Sequence, residues 1–361
     1  MNTFTKVHVP LGPDAYEIII GGAILKGLDK LYAADSGSRA ALITSDNIAP
    51  LHAATVREAL RSGGWDVELF VVPDGEAAKD LTVAGDLCRR LAQSGCDRGA
   101  VIFALGGGVI GDLAGFVAAI YLRGIAFVQL PTTLLAQADA SVGGKVAVDL
   151  PEGKNLIGVF HQPAAVFIDT SVLGTLPDRY LRSGMAEVIK HAAIADEELF
   201  SFIEDNIELI YARDPEILQH LLARNCQIKV DVVTRDPRDT GVRSLLNLGH
   251  TIGHAVEAGA HWAIHHGEAV AIGMVAETRL AVELGICGEH DLKRLEELLA
   301  TAGLRADTSE VNTTLAVAAL RRDKKIANRA LRLPLMTRIG KAELFESMDI
   351  AQLEVALLNA V

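Results

Sequence analysis

The stretch GAVIFALGGGVIGDLAGFVAAIYL, residues 99–122, decides the fold class of this 361-residue chain. An apolar run that ends in three glycines is followed by a segment of helical character. Gly106, Gly108 and Gly111 match G-x-G-x-x-G, in which a tight turn leaves a helix N-terminus open to a pyrophosphate. Tight glycine turns also occur for packing alone, but a strand before the turn and a helix after it favour a dinucleotide site.

The segments around this stretch alternate in the same way. β-like runs occupy 16–22, 39–46, 65–75, 99–108 and 124–133, with amphipathic stretches such as 51–64 and 81–95 between them. Such alternation is typical of βαβ units and a Rossmann-like, largely parallel sheet. From about residue 177 the pattern becomes long and helical, with few strand signals. We therefore predict an α/β N-terminal domain at 1–176 and a mainly α-helical C-terminal domain at 177–361.

The composition excludes several classes of partner. The formal charge of −12 argues against nucleic acid or an anionic membrane as a bulk partner. No apolar run approaches the roughly 18 residues of a membrane span, and the first residues, MNTFTKVHVPLG, lack the pattern of a signal peptide. The four cysteines show no CxxC spacing, which favours reduced thiols in a cytoplasmic protein.

The expected dinucleotide site departs from the usual fingerprint in one respect. No acid stands about twenty residues after the glycine turn to hold a ribose, because that region reads LPTTLL. Asp46 or Glu76 is a better placed candidate. Polar residues end several predicted strands, and at one edge of a parallel sheet they would line one crevice: Asp46, Asp74, Gly106 to Gly108, Thr132 and Thr133.

A second motif, NLGHTIGHAVEAGAHWAIHHGEAV at 247–270, holds five of the eleven histidines. His250 and His254 are four residues apart and share one helix face, as two metal ligands require. The H-E-x-x-H pattern fails because Thr251 follows the first histidine. A catalytic zinc takes a carboxylate as a third ligand in many sites, and Glu187 in GMAEVIKHA is a candidate. Core packing and a helix-surface glutamate are the alternative interpretations.

Basic residues beside turn or amide residues suggest an anionic ligand. Arg and Lys bind phosphate and carboxylate through charge-assisted hydrogen bonds. Taken singly, each of these residues is better explained as a solvated surface charge; beside a nucleotide loop and a histidine cluster, the balance reverses. The residues are Arg123, Lys145, Lys154, Lys190, Lys229, Arg243, Lys324 and Lys325.

These motifs together resemble the 3-dehydroquinate synthase family over nearly the whole chain. The matching stretches are PDGEAAK (73–79), LGGGVIGDLAGFVAAIYLRGI (105–125), QLPTTLLAQADASVGGKVAVD (129–149), GKNLIGVFHQP (153–163), SGMAEVIKHA (183–192), RSLLNLGHTIGHAVE (243–257), HHGEAVAIGM (265–274) and RRDKK (321–325). The resemblance implies conversion of 3-deoxy-D-arabino-heptulosonate 7-phosphate, a small phosphorylated sugar acid, to 3-dehydroquinate and phosphate. It also implies NAD, one divalent metal (zinc or cobalt) and a homodimer.

The resemblance assigns roles to residues. The metal ligands would be Glu187, His250 and His266. The catalytic groups would be His254, for proton transfer, with Lys190 and Asn247. NAD would be held by Asp46, Asp74, Glu76, Lys79, Gly107, Gly108, Asp112, Thr132, Thr133, Lys145, Lys154 and Thr175. The substrate would contact Asp139, Lys145, Asn155, Lys229, Arg243, Lys324 or Lys325, and Arg123 from the other subunit. Among these, Lys229 and Arg243 would meet the carboxylate. The phosphate would meet Lys145, Asn155, Lys324 or Lys325, and Arg123 of the other subunit.

One departure from the family pattern affects the ligand set. His265 stands where an apolar residue is usual, so the choice of His266 as the ligand rests on alignment to HGEAV. Two other enzymes remain alternatives. One is a different sugar-phosphate cyclase whose substrate lacks a carboxylate, which would leave Lys229 and Arg243 unpaired. The other is a metal-dependent alcohol or glycerol dehydrogenase, which would release NADH. A non-enzymatic binding module would not explain metal ligands and a dinucleotide loop in one chain.

Overall fold

The computed structural model describes residues 4–34, 38–261, 263–322, 326–327 and 330–361. The chain divides into two compact units, Met1–Pro177 with Arg213–Val230, and Asp178–Ala212 with Asp231–Val361. The first unit thus contains a helical segment beyond the predicted 1–176. In that segment the buried Asn225 side chain donates to the backbone oxygen of Ala138 at 2.7 Å, within the same unit.

The first unit is built on a seven-stranded sheet in the order β1-β2-β9-β6-β5-β3-β4, with a separate hairpin of β7 and β8. Its elements in chain order are β1 (Thr5–Val9), β2 (Tyr16–Gly21), α1 (Leu28–Leu31), β3 (Arg39–Ser45), α2 (Ala54–Ser62), β4 (Asp66–Val72), α3 (Leu81–Gln93), β5 (Val101–Gly106), α4 (Gly108–Ile120), β6 (Ala126–Pro131), β7 (Lys145–Leu150), β8 (Gly153–Phe160) and β9 (Ala165–Asp169). All pairs except β1–β2 are parallel within the large sheet, as predicted.

Two apolar layers cover the two faces of this sheet. Successive residues of β3 point to opposite faces, so Leu42 joins a cluster with α2 and Ile43 joins a cluster with α3 and α4. The connection from β3 leads to β4 on one side of the sheet. The connection from β5 leads to β6 in the opposite direction. The sheet therefore has its topological switch between β3 and β5, where folds of this kind bind ligands.

The glycine turn has the predicted form. β5 ends at Gly106 and α4 begins at Gly108. Gly111 lies in the first turn of α4, where a Cβ atom would stand 2.8 Å from the side-chain oxygen of Gln129 on β6. Glycine at this position lets the helix approach the sheet closely.

The second unit is mainly helical, as predicted, but it also contains a three-stranded antiparallel sheet. The sequence analysis missed this sheet because Leu333 to Met336 form a continuous buried run without strand-like alternation. No helix of the described chain is long and apolar enough to cross a membrane. The elements are α5 (Asp178–Ala195), α6 (Glu197–Tyr211), α7 (Pro215–Arg235, which begins in the first unit), α8 (His250–Gly259), α9 (His266–Glu283), α10 (Glu289–Thr301), α11 (Thr313–Arg321), β10 (Ile326–Ala327), β11 (Ala330–Arg338), β12 (Lys341–Met348) and α12 (Ile350–Leu358).

Candidate active site

The residues predicted to hold NAD lie at or beside the carboxyl-terminal edge of the parallel sheet, except Lys145 and Lys154, which lie on the hairpin of β7 and β8. Parallel strands bring their carboxyl ends to the same edge, so residues distant in sequence meet there. Thr132 follows β6, and its N–H donates to the oxygen of Gly106 at 2.9 Å. The hydroxyl of Thr133 accepts from the N–H of Ala136 at 3.2 Å. The others placed after strand ends are Asp46 (exposed, after β3), Asp74 and Glu76 (exposed, after β4), Gly107 and Gly108 (after β5) and Thr175 (exposed, after β9).

Lys79 is the centre of this group. Its ammonium lies 2.7 Å from Asp112 of α4 and 3.9 Å from Glu76, and it donates to the side-chain oxygen of Asn155. Burial alone would lower the pKa of Lys79. The combined effect of Asp112 and the other nearby carboxylates is larger than the effect of burial, so the pKa is raised. Burial also raises the pKa of Asp112 to about 6, although Lys79 opposes the shift. The cluster therefore holds a buried cation and two acids at the N-terminus of α4.

The structure joins to this cluster one residue that the sequence analysis assigned to the substrate phosphate. Asn155 adopts a left-handed backbone with φ 54°, and its N–H donates to Asp149 at 2.7 Å while its side chain meets Lys79. The neighbouring Lys154 lies 3.8 Å from Glu76. Asn155 is thus placed among the predicted NAD residues.

The remaining predicted substrate residues of the first unit fall in three places. Lys229, which is 4 % exposed, contacts Asp139 at 2.6 Å and the backbone oxygen of the same residue. Lys145 begins β7 and is exposed. Arg123 is exposed in the turn after α4, where Leu122 and Arg123 both have positive φ, 50° and 70°. Thus Lys229 and Asp139 meet, while Arg123 lies at the surface of its unit.

In the second unit, three helices bring together a group of metal-ligand type. Glu187 of α5, His250 of α8 and His266 of α9 offer donor atoms within 4.8 Å of one another. Oε1 of Glu187 lies 3.4 Å from Nε2 of each histidine, and the carboxylate is 1 % exposed. Two imidazoles and one carboxylate form the donor set of a catalytic zinc, which leaves a fourth position for a substrate oxygen. His265 instead caps α9, with its ring beside Tyr180.

Local sequence explains how these helices present their first residues. Gly249 precedes His250 with φ 78°, and a Cβ there would stand 2.6 Å from the oxygen of Val270, so only glycine fits. The buried carboxylate of Glu277 accepts the N–H groups of Gly249 at 2.6 Å and Ile252 at 3.2 Å. It therefore fixes the start of α8 and, with it, His250.

Lys190 lies one turn after Glu187 on α5 and contacts the other carboxylate oxygen, Oε2. Both side chains are buried. One carboxylate oxygen of Glu187 faces the two imidazoles, and the other contacts the ammonium of Lys190. Burial and the Lys190 charge hold the pKa of His250 well below its usual value. Burial also opposes the charge on His266, but hydrogen bonds to Glu187 and Glu257 raise its pKa to about 10.

His254 and Asn247 flank the group. The His254 ring is 5.3 Å from that of His250 and 6.1 Å from that of His266, centre to centre. His254 is exposed, unlike Glu187 and His250, so it can exchange protons with a ligand or with water. Asn247 ends a 3₁₀ helix (Val242–Asn247) that leads to α8.

Arg243 is held by a loop that Asp236 organises. Asp236 accepts the N–H groups of Thr240 at 3.0 Å, Gly241 at 2.7 Å and Arg243 at 3.0 Å. Burial opposes this charge, but the backbone hydrogen bonds lower the pKa of Asp236 to about 2. The Arg243 guanidinium, 3 % exposed as a residue, donates to the oxygen of Pro237 at 3.1 Å. Lys324 and Lys325 lie outside the described residues.

Sequence analysis missed three acids near the histidines, Glu257, Glu268 and Glu277. Glu257 contacts Nδ1 of His266 at 3.3 Å, and Glu268 accepts the N–H of His265 at 2.9 Å while pairing with Arg179. Glu257 follows His250 by seven residues, which places both on one helix face. That spacing was a usable signal for Glu257; Glu277 had none, because its partners are backbone groups 25 and 28 residues away.

Comparison with known proteins matches both parts of the chain to one family. Residues 69–183 match the family model for the N-terminal part of 3-dehydroquinate synthase, and residues 184–326 match the model for the C-terminal part. A relative from Xylella fastidiosa (strain M23), named 3-dehydroquinate synthase, is 44 % identical over 96 % of this chain and 96 % of its own length.

Solved structures agree with this assignment. A 2-deoxy-scyllo-inosose synthase in complex with carbaglucose-6-phosphate, NAD+ and Co2+ aligns with a TM-score of 0.90 at 26 % identity, over 99 % of this chain and 100 % of that one. A 2-epi-5-epi-valiolone synthase from Streptomyces hygroscopicus subsp. jinggangensis 5008, with NAD+ and Zn2+ bound, aligns with a TM-score of 0.87 at 28 % identity, over 96 % of each chain. The chain therefore belongs to the 3-dehydroquinate synthase family.

Proposed function

We propose that this chain converts 3-deoxy-D-arabino-heptulosonate 7-phosphate to 3-dehydroquinate and phosphate, with NAD and one zinc or cobalt ion. The observation that carries the proposal is the convergence of Glu187, His250 and His266 from three helices, in a chain whose relatives carry this activity. The 44 % identity to a 3-dehydroquinate synthase exceeds the 26 % identity to the inosose synthase, which favours the former reaction.

The NAD proposal rests on the sheet edge of the first unit. The N–H groups of Gly107 and Gly108 begin a helix whose N-terminal dipole favours a pyrophosphate. Lys79, held in place by Asp112 and Glu76, supplies an ammonium group as hydrogen-bond donor, and the exposed Asp46 after β3 supplies a ribose acceptor. Bound at these residues, NAD would supply a reversible hydride acceptor for one ring carbon and would not be consumed.

The metal proposal rests on the donor set in the second unit. Nitrogen and carboxylate donors suit zinc and cobalt, and the buried Glu187 would otherwise leave an oxygen facing two imidazoles. Held by Glu187, His250 and His266, the metal would supply Lewis acidity that lowers the pKa of the hydroxyl to be oxidised. Lys190 holds Oε2 of Glu187, which keeps Oε1 directed at the histidines.

Other side chains of the chain bind anions and move protons. His254 is exposed beside the histidine ligands, and a histidine has its ordinary pKa near neutrality, so it is our candidate for proton transfer at the hydroxyl. Lys229 and Arg243 provide cations for the substrate carboxylate, and Lys145 provides one for phosphate. Cations that hold the anionic ends of a substrate allow an enzyme to serve several chemical steps by positioning.

A combined assay tests the reaction. The metal-saturated protein is incubated with NAD and the heptulosonate phosphate, while phosphate release and net NADH are followed. We expect phosphate release with no net NADH. Stoichiometric NADH would instead indicate a dehydrogenase. Absence of phosphate release with this substrate, together with release from glucose 6-phosphate or sedoheptulose 7-phosphate, would indicate another cyclase.

We further propose a cytoplasmic homodimer in which Arg123 completes the substrate site of the other subunit. The four unpaired cysteines suit a reducing compartment, and Arg123 lies in an exposed turn beside the exposed Ile120 and Leu122. Mixed dimers test this arrangement. An Arg123→Ala subunit paired with a His250→Ala subunit regains one intact site only if Arg123 acts across the dimer, whereas two dead sites would show that it acts within its own subunit.

A further inference from the structure

The two histidines of the proposed metal site differ in what holds their second ring nitrogen. Both direct Nε2 at Oε1 of Glu187, each at 3.4 Å. Nδ1 of His250 lies 3.3 Å from the backbone oxygen of Leu248, a neutral acceptor. Nδ1 of His266 lies 3.3 Å from Oε1 of Glu257, a carboxylate. Nδ1 therefore faces a neutral backbone oxygen in His250 and a charged carboxylate in His266.

Glu257 is built into the helical unit rather than placed at its surface. It is 5 % exposed and belongs to α8, yet the imidazole that it meets begins α9. A buried carboxylate is costly to desolvate unless it is hydrogen-bonded to a partner. The contact between Glu257 and His266 thus ties α8, which carries His250, to the residue that begins α9.

Elementary chemistry gives this contact a direction. An ionised carboxylate only accepts hydrogen bonds, so the ring nitrogen that faces Glu257 is the one that carries the proton. The opposite nitrogen, Nε2, is then the one that would give its lone pair to a bound metal ion beside Glu187. A carboxylate partner also makes a histidine ligand more basic and limits rotation of its ring.

We propose that Glu257 is a positioning residue that holds His266 with Nε2 directed at the metal and makes His266 the stronger of the two histidine ligands. The inference rests on the proposed metal site. The main alternative is that Glu257 itself binds the metal, since His254, Glu257 and His266 form a second group of close donors. The two arrangements make different predictions for Glu257 and His254 variants.

The first test measures cobalt affinity of the full-length protein by competition with a chelator. We expect Glu257→Gln to weaken binding by about 10- to 100-fold, because the amide loses the charge that supports His266. Glu257→Asp, which keeps the charge, should lie between Glu257→Gln and the wild type. Glu204→Gln is the matched control: Glu204 is a helical acid of the same unit that pairs with Arg294 at 2.6 Å, and its loss should leave cobalt affinity unchanged.

The second test is spectroscopic. In the cobalt form, each histidine ligand contributes one exchangeable ring N–H proton with a large paramagnetic NMR shift. Glu257→Gln should move one of the two signals, that of His266, and leave the His250 signal in place. A role limited to stability would move neither signal, even if the thermal midpoint of Glu257→Gln falls.

The outcomes separate the possible failures. Wild-type affinity in Glu257→Gln, with cobalt lost in Glu187→Gln, overturns the positioning role alone. Cobalt affinity equal to wild type in Glu187→Gln overturns the metal site and the inference together. Loss of cobalt in both Glu257→Gln and His254→Ala, with binding kept in Glu187→Gln, would show that Glu257 is a ligand.

Discussion

The polar cluster of the first unit and that of the second unit are assembled in different ways. Around Lys79 and the glycine turn, the groups lie at strand ends and at a helix N-terminus, so backbone topology alone brings them to one edge. Around Glu187, the groups lie on the first turns or the middle of helices, separated by up to 79 residues, and only packing brings them together. A strand-end site is specified mainly by the order of strands. A helix-face site depends on individual close contacts.

The largest expected effect comes from the helix-face cluster. Glu187→Gln should abolish metal binding and reduce phosphate release to the level of chelated wild-type protein. It also leaves Lys190 buried without its carboxylate, which should lower the free energy of unfolding by about 3 kcal/mol. Metal content and urea unfolding measure both effects. NAD affinity should stay at the wild-type value; a parallel loss of NAD would show that the two clusters are not independent.

A variant of His254 distinguishes proton transfer from metal binding within the same cluster. His254→Ala should retain the metal and lower the rate of phosphate release by about 100-fold or more, because a proton-transfer group is removed. His261→Ala, at a histidine to which we assign no role, is the control. A His254→Ala protein that lost its metal would show that our division of the cluster is wrong.

The strand-end cluster is best tested through the helix that supports it. In Gly111→Ala, a methyl group would stand 2.8 Å from Gln129, so we expect a loss of about 1–3 kcal/mol in stability and weaker NAD binding. Gly85→Ala on α3 meets nothing within 4 Å and should be neutral or stabilising. Metal affinity should be unchanged in both, as measured by chelator competition. Equal NAD affinity in the two variants would contradict the close-approach role of Gly111.

The smallest effect concerns the loop that carries Arg243. The lowered pKa of Asp236 means that its charge stabilises the fold above about pH 4 and that this contribution is lost as the pH falls toward 2. Asp236→Asn should therefore cost about 1–2 kcal/mol at pH 7 and roughly half as much at pH 3. Urea unfolding at both values measures the difference, with exposed Asp205→Asn as the control. A cost that does not change with pH would mean that the charge is not responsible.

The difference between the strand-end cluster and the helix-face cluster also explains which features could be predicted from the sequence. The five apolar runs gave five strands within a few residues, and the glycine turn gave the helix start, because these signals are local. The strands β1, β7, β8 and β9 and the small sheet of the second unit were missed. β9 is only five residues long and buried throughout, and neither strand of the β7–β8 hairpin alternates clearly between buried and exposed residues. The contact between Asn155 and Lys79 was not predicted, because it depends on a left-handed backbone that no sequence pattern indicates.

The predicted metal ligands of the second unit show more clearly what could not be predicted from the sequence. Spacing alone paired His250 with His254, whereas the structure brings His250 to His266 and Glu187. The grouping of Glu187, His250 and His266 was predicted from the resemblance to the family. Physical reasoning from sequence could not supply it, because α5, α8 and α9 meet through glycine contacts such as Gly267 against Ser183. Such contacts involve backbone atoms, which leave no periodic signal.

The spread of the proposed ligands from residue 187 to residue 266 also has a consequence for maturation of the chain. A nascent polypeptide that ends before residue 266 lacks at least one of the three donors. The complete metal site can therefore form only after α9 has been synthesised and has packed against the other helices. The metal then binds the native state alone and stabilises it by mass action, by about 2.7 kcal/mol when free metal is 100-fold above its dissociation constant. Cellular metal supply would thereby set how long the folded enzyme survives as well as how fast it works.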